Sequence, residues 1–511
     1  MNIARFLTRW RGQRARRGLS AIALTASLFS GQTAWVAPAQ AQQAQTGAYC
    51  QLLNDSILEK QRLLQSSLQG SEEAKTQYQN LLKQHAEVIR QCRTRTWPQN
   101  QAIWLRLYPC DAQPGVLEAV LDDIVNRGYN QVYVEVFANG QVLLPSSSNS
   151  TAWPSLLRTP GYENVDLLAQ SIAKGRERGL KVYAWMFSLN FGYTYATRSD
   201  RQQVLAVNGR GETTVTLNNH EPDPVTGTAD GSFVDPYHPQ ARYDYYQLLQ
   251  AILQRKPDGV LFDYIRYPRG TGAASVAGKI QDLWVYGDAA QQALYERAIN
   301  NKGRALIQTF LQKGFVSAGD IAAVNKAYPQ EGEPLWQGRT PTNVKNVTAA
   351  QLQPILQQEL WLLSVAHAFQ GVVDFLTMAV TPVQQQGIPA GAVFFPDGNK
   401  IIGKQGFDSR LQPWDRFPGN IEWHPMSYAT CGSVDCIVEQ VQRVLSQAPA
   451  GTQVKPVIAG NWGAAVSNRP SLEAQMQAIQ RLAPQIKTVS HFAYSWQQPQ
   501  FDRQRKFCKF Q

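Results

Sequence analysis

The sequence predicts a closed (β/α)₈ barrel with long insertions in its βα loops, preceded by a small α-helical hairpin. Three features point there. Beyond Pro98 the chain passes through eight short runs rich in Val, Ile, Tyr, Phe and Trp, helical stretches separate most of them, and no GxGxxG follows the first. The missing glycine signature weighs against the alternative architecture, an open doubly wound dinucleotide-binding sheet.

Taken in chain order, residues 1–41 read as an export signal. Arg5, Arg9, Arg11, Arg14, Arg16 and Arg17 precede an apolar run from Leu19 to Phe29, and Ala39-Gln40-Ala41 offers small residues for cleavage. That run is about a dozen residues, short of the ~20 a spanning helix needs, so no integral membrane segment is expected after removal. Arg16-Arg17 leaves twin-arginine export open beside the general route. Localisation is then periplasm, envelope or exterior.

Residues 42–97 contain the hairpin. Leu53, Ile57, Leu64 and Leu68, then Tyr78, Leu82 and Ile89, recur at helical steps, and Leu68-Gln69-Gly70-Ser71-Glu72 interrupts them midway. The plain role of such a hairpin is packing; docking an envelope protein partner is the sharper one.

Residues 98–511 hold the barrel. Strands are expected at 102–108, 131–137, 181–187, 259–265, 391–396, 420–428, 454–460 and 488–495, and helices at 115–127, 165–178, 239–254, 352–379, 434–448 and 471–482. Two connections, 190–233 and 269–390, exceed what barrel geometry requires, and both follow strands. They therefore belong on the C-terminal face, where such barrels build their sites.

Charge and cysteines bound the function. The formal charge of +11 falls to +5 without the first 41 residues, being 43 basic against 38 acidic side chains, which calls for no nucleic-acid partner. The residual basicity suits an anionic wall polymer but equally an ordinary solvated surface. Six cysteines in an exported chain favour disulfides over metal ligation. Six allow fifteen connectivities. Position favours Cys431 with Cys436 across a small loop and Cys50 with Cys92 across the hairpin, leaving Cys110 with Cys508. No CxxC or HExxH occurs, and neither a metal nor an organic cofactor is implied.

The chemistry-bearing residues gather at predicted strand ends. In Asp258-Gly259-Val260-Leu261-Phe262-Asp263-Tyr264-Ile265-Arg266, a carboxylate facing the apolar helix layer would be costly, so Asp263 should point into the barrel with Leu261 and Ile265. Arg266 lies just beyond, as an oxygen-binding group or a structural partner of Asp263. In Val132-Tyr133-Val134-Glu135-Val136-Phe137 the valines alternate outward and leave Glu135 inward. Glycosidic cleavage needs two carboxyl groups, so Glu135 is a candidate partner for Asp263, and Asp397, directly after the fifth strand, competes with it. Either can instead be a structural acid. Trp185, His424, Tyr428, Asn461, Trp462, Tyr494 and Trp496 sit at other strand ends. Each alone reads as core; together they suit sugar rings, which have apolar faces and polar rims.

A specific resemblance follows from two runs. Phe233-Val234-Asp235-Pro236-Tyr237-His238-Pro239-Gln240-Ala241-Arg242, leading to Asp258 through Pro268, is similar to the "DPxHPxxR" and "DGxxFDxxxxP" pattern of the glycosyl-hydrolase-like family 10 proteins. Shorter similarities lie at Gly128-Tyr129-Asn130, Val182-Tyr183-Ala184-Trp185, His424-Pro425-Met426-Ser427-Tyr428, Ile458-Ala459-Gly460 and Phe492-Ala493-Tyr494. The resemblance implies an exported TIM-barrel glycosidase, a catalytic role for Asp263 and substrate-facing roles for Trp185 and Tyr428; some members act on bacterial wall glycan. Glu135 departs from the pattern, standing where many relatives carry Gln followed by Arg.

The expected activity is hydrolysis of an O-glycosyl bond in an envelope or extracellular glycan, either peptidoglycan strands or a polysaccharide. A noncatalytic glycan-binding envelope protein on the same fold is the rival. An ester hydrolase or deacetylase is disfavoured, since neither a GxSxG elbow nor a metal-ligand cluster occurs.

Overall fold

The computed structural model describes residues 46–217, 231–342 and 347–509. The expected signal, 1–41, and residues 218–224 of the first long insertion lie outside them.

Eight parallel strands close on themselves. In chain order they are β1 (Asn100–Leu105), β2 (Gln131–Ala138), β3 (Lys181–Phe187), β4 (Gly259–Asp263), β5 (Ala390–Phe394), β6 (Glu422–Ser427), β7 (Val457–Ala459) and β8 (Thr488–Phe492). Each pairs in parallel with the next, and β1 pairs with both β2 and β8, so the sheet has no free edge along this ring. All eight expected strands are present, most ending a few residues earlier than the apolar runs. The seventh is divided. Gln453–Val454 pairs with β6 and the chain resumes as β7 past Pro456, which has no N–H to give to a ladder.

The hairpin is α1 (Asn54–Leu68) and α2 (Glu72–Arg95). Gly70, at φ 96°, takes the left-handed turn between them, and Ser71 Oγ caps α2 by accepting from the Ala74 N–H at 3.1 Å. Cys50 and Cys92 are bonded at its open end. Two buried cations fasten the hairpin to the barrel. Arg93 donates to the carbonyls of Tyr49, Pro98 and Gly128, and Lys60 faces Asp122 at 3.8 Å.

Four helices follow their strands as expected: α3 (Val116–Asn126), α4 (Leu167–Glu177), α5 (Pro239–Leu253) and, after the β4 insertion, α6 (Ala349–Gln385). α7 (Val434–Leu445) and α8 (Leu472–Leu482) complete the layer, while the helical content between β5 and β6 is a short 3₁₀ turn, Trp414–Arg416. α6 is long and apolar enough to cross a membrane, but 67% of that stretch is buried inside the protein. It packs on α5 and β5 as a core helix does.

The insertion between β4 and α6 adds three further helices, Asp288–Tyr295, Asn301–Lys313 and Ala318–Ala327. A small antiparallel sheet joins its start to the loop after β5: Val276–Ala277 pairs with Gly406–Asp408, which pairs with Ile401–Ile402. The remaining disulfides are Cys110–Cys508 and Cys431–Cys436. All three pairings follow the positional expectation, and they fit an oxidising compartment.

Candidate functional site

Inward residues of the barrel form stacked layers, as a period of two along each strand requires. Low in the barrel, Glu422 is held by Lys455 Nζ at 2.5 Å and bonds His424 Nε2 through its other oxygen at 3.1 Å. Burial pushes Glu422 upward, but His424 and Lys455 outweigh it and hold the carboxyl down at about 2. Tyr133 and Tyr183 close this layer, with His424 edge-on to Tyr133 at 5.7 Å.

The next layer is aromatic. Trp104 meets Trp185 edge to face at 4.9 Å between centroids, and Phe492 lies 6.2 Å from Trp185 and 5.8 Å from Tyr428. Above these rings is a pocket of about 380 Å³, open mouth included. It is lined by the aromatic and apolar side chains of Trp104, Trp185, Tyr264, Val393, Phe395, Met426, Tyr428 and Phe492 and by the charged Asp263 and Arg266. The rings stand so close that its interior admits about one water molecule.

Asp263, the last residue of β4, is 6% exposed and turned into this pocket. Trp185 Nε1 donates to its Oδ2 at 3.0 Å and the Tyr264 N–H to its Oδ1 at 2.7 Å. The backbone turns sharply here: Tyr264 has φ 51°, a left-handed conformation that costs a bulky residue about 1–2 kcal/mol. The carbonyls of Asp263 and Tyr264 accept from Ser188 and Leu189, which keeps the strained turn registered on the strand next door. Arg266 places its guanidinium 4.6 Å from the Tyr264 ring and 5.7 Å from that of Phe395, and donates to the Tyr267 carbonyl.

Glu135 is inward on β2, level with Trp185 in the sheet register. Its Oε2 accepts from Arg106 Nε at 3.0 Å, and the same guanidinium lies 5.8 Å from the Trp185 ring. Glu135 is thus joined to Asp263 through Arg106 and Trp185, although it does not line the pocket. Asp397 sits elsewhere, in the turn after β5, paired with Lys400 at 2.6 Å and half open to solvent.

Of the expected site residues, the pocket gathers Asp263, Arg266, Trp185 and Tyr428. His424 lies beneath it. Asn461 and Trp462 follow β7, where Trp462 donates to the Tyr129 hydroxyl. Tyr494 is fully buried and bonds Asp123, and Trp496 lies under the Arg469 guanidinium. None of these five lines the pocket. Trp104, Met426 and Phe492 do, and sequence reasoning passed over them. Counting by twos from His424 reaches Met426 and then Tyr428, so the signal was present for one of them.

The run around Asp235 has a building role. Asp235 Oδ1 accepts from the Tyr237 N–H at 2.8 Å and Oδ2 from the Ala290 N–H at 3.0 Å, which ties the α5 approach to the first turn of Asp288–Tyr295. Burial pushes its carboxyl up to about 6 despite those two amides. His238 caps α5 through Nδ1, and Arg242 donates to the Pro236 carbonyl at 2.7 Å.

Residues 101–294, from β1 past Asp263 to the Asp288–Tyr295 helix, match the family described as glycosyl hydrolase-like 10. No curated protein sequence matches the chain. Among solved structures, the glycoside hydrolase domain of PgaB (BpsB) from Bordetella bronchiseptica is similar at 14% identity and a TM-score of 0.46, over 80% of this chain and 98% of that one. A GH20 exo-β-N-acetylglucosaminidase from Vibrio harveyi is 10% identical with a TM-score of 0.37, over 77% of this chain and 50% of that one. A GH18 chitinase from Pseudoalteromonas aurantia is 9% identical with a TM-score of 0.34, over 78% of this chain and 94% of that one.

Proposed function

Because residues 101–294 match the glycosyl hydrolase-like 10 family, we propose that the chain hydrolyses glycosidic bonds in an envelope or extracellular glycan, with Asp263 carrying the chemistry. One observation supports this above the others. A buried carboxylate ends a barrel strand inside a pocket walled by indole and phenyl rings, and two N–H groups hold it in one orientation. Sugar rings stack on such walls, and the glycosidic oxygen or anomeric carbon needs a carboxyl group fixed in place.

Asp263 acts as nucleophile or as general acid. Glu135 is the favoured second carboxyl, because it shares the inner face and reaches Asp263 through Arg106 and Trp185, while Asp397 is engaged with Lys400 away from the pocket. Since the pocket interior is narrow, the sugar is read as lying across its mouth, with Arg266 and Tyr428 at its edges. Carboxyl groups about 5 Å apart in the glycan complex would mean retention of configuration, and about 6.5–9.5 Å inversion.

The test is incubation of the mature protein with purified wall glycan strands and a panel of polysaccharides, with products read by mass. Shortened chains that carry one added water per cleavage support the reading. Glycans bound but never shortened would transfer it to the noncatalytic envelope-binding alternative.

A further inference from the structure

A second concavity adjoins the loop that leaves β4. The chain passes from Arg266, at the pocket over Asp263, straight to Pro268 and Arg269 in the wall of a groove of about 1370 Å³, open mouth included. Its interior of about 580 Å³ falls within the roughly 300–1,000 Å³ of ligand clefts, so a sugar unit has room here that the narrow pocket lacks.

Among the described residues, the charges of this groove are unbalanced: Arg210, Arg269 and Lys279 line it against one acid, Asp282. Arg210 is compensated, since it bonds Glu212 at 3.0 Å and Asp282 at 3.1 Å. Arg269 and Lys279 are exposed, and among the described residues neither has an ion-pair partner. Two such cations in one concavity create a positive potential that an anion relieves. Trp284, Pro268 and Val276 supply apolar wall in the same groove, which a bare inorganic anion does not use but a sugar ring does.

We propose that this groove is a subsite for a carboxylate-bearing sugar unit, so that the glycan substrate is an acidic one. The inference rests on the glycosidase reading for the groove's purpose, but not for its binding chemistry. Arg269 and Lys279 take the carboxylate, and the ring lies against the apolar wall.

The test measures binding of a uronate-containing oligosaccharide and of a neutral one of equal length to the mature protein, to R269Q/K279Q and to D263N. The wild type and D263N should prefer the acidic ligand, and that preference should fade with added salt. R269Q/K279Q should lose roughly fivefold or more of the acidic affinity and none of the neutral. Equal affinity for both ligands, or an unchanged acidic affinity in the double variant, overturns the proposal. Charge-selective binding without cleavage of any glycan would leave the subsite standing and remove the glycosidase reading. Cleavage without charge preference would do the reverse.

Discussion

Replacing Asp122 by Asn should loosen the hairpin from the barrel. Asp122, on α3, is 4% exposed and serves three groups: Arg178 Nε at 2.8 Å and Lys60 Nζ at 3.8 Å on Oδ1, and the Tyr78 hydroxyl at 2.7 Å on Oδ2. Lys60 and Tyr78 belong to the hairpin, and Arg178 ends α4. Asn keeps the shape but leaves the buried Lys60 without its anion and Arg178 with only the exposed Glu177 at 3.7 Å. Removing one partner of a buried ion pair costs about 3–5 kcal/mol. At about 2.1 cal/mol/K per residue over about 460 residues, the unfolding entropy near Tm is about 1 kcal/mol/K, so Tm should fall by about 3–5 °C. Lys60 adds a pH signature. Burial lowers it to about 8, with Asp122 opposing that fall. The unfolded chain keeps this proton up to about pH 10.5. Folded stability therefore rises between pH 8 and 10.5, by up to about 3 kcal/mol, and is lost again as pH falls through 8. Without Asp122 the rise should begin below pH 8, and in K60M it should vanish. Urea titrations followed by tryptophan fluorescence at several pH values check both. A D122N protein within about 0.5 kcal/mol of wild type, with an unmoved pH window, would show that Asp122 does not anchor the hairpin.

Acid should destabilise the protein early. Burial holds His367 and His491 down at about 3, whereas the unfolded chain titrates near 6.5, so stability is complete above pH 6.5 and falls below it, by about 2 kcal/mol per histidine at pH 5; urea midpoints at pH 7 and pH 5 measure this. Replacing Cys50 and Cys92 together by Ser should cost about 4 kcal/mol of loop-closure entropy for a separation of 42 residues, read as a lower urea midpoint of the hairpin-bearing protein. On a cleaved glycan, E135Q should lower kcat by roughly 10²-fold or more while D397N stays within about threefold, because only Glu135 lies in the inner layer beside Trp185. Equal losses in the two variants would remove the preference for Glu135.

The barrel was readable because apolar runs of strand length recur between helical stretches, and a charged residue in such a run has one affordable direction. Asp263 follows from that rule alone. The rule stops at the strand ends. Asn461, Trp462, Tyr494 and Trp496 lie beyond the last paired residues of β7 and β8, where the period of two no longer fixes a side chain, and none of them lines the pocket. Arg106 lies just past β1 for the same reason, so its bond to Glu135 carried no sequence signal. The run at Asp235 reads like chemistry, but its polar groups cap α5 and the Asp288–Tyr295 helix. The strain at Tyr264 is invisible in composition, since only the backbone angle reveals it.

Whether Asp263 performs the proposed glycosidic cleavage is decided by Asp263→Asn on a glycan the wild type shortens. Product formation should fall by roughly 10³-fold or more while the affinity for the intact glycan stays within a few fold. Turnover that survives the substitution would contradict the account, because it would place the chemistry on another group.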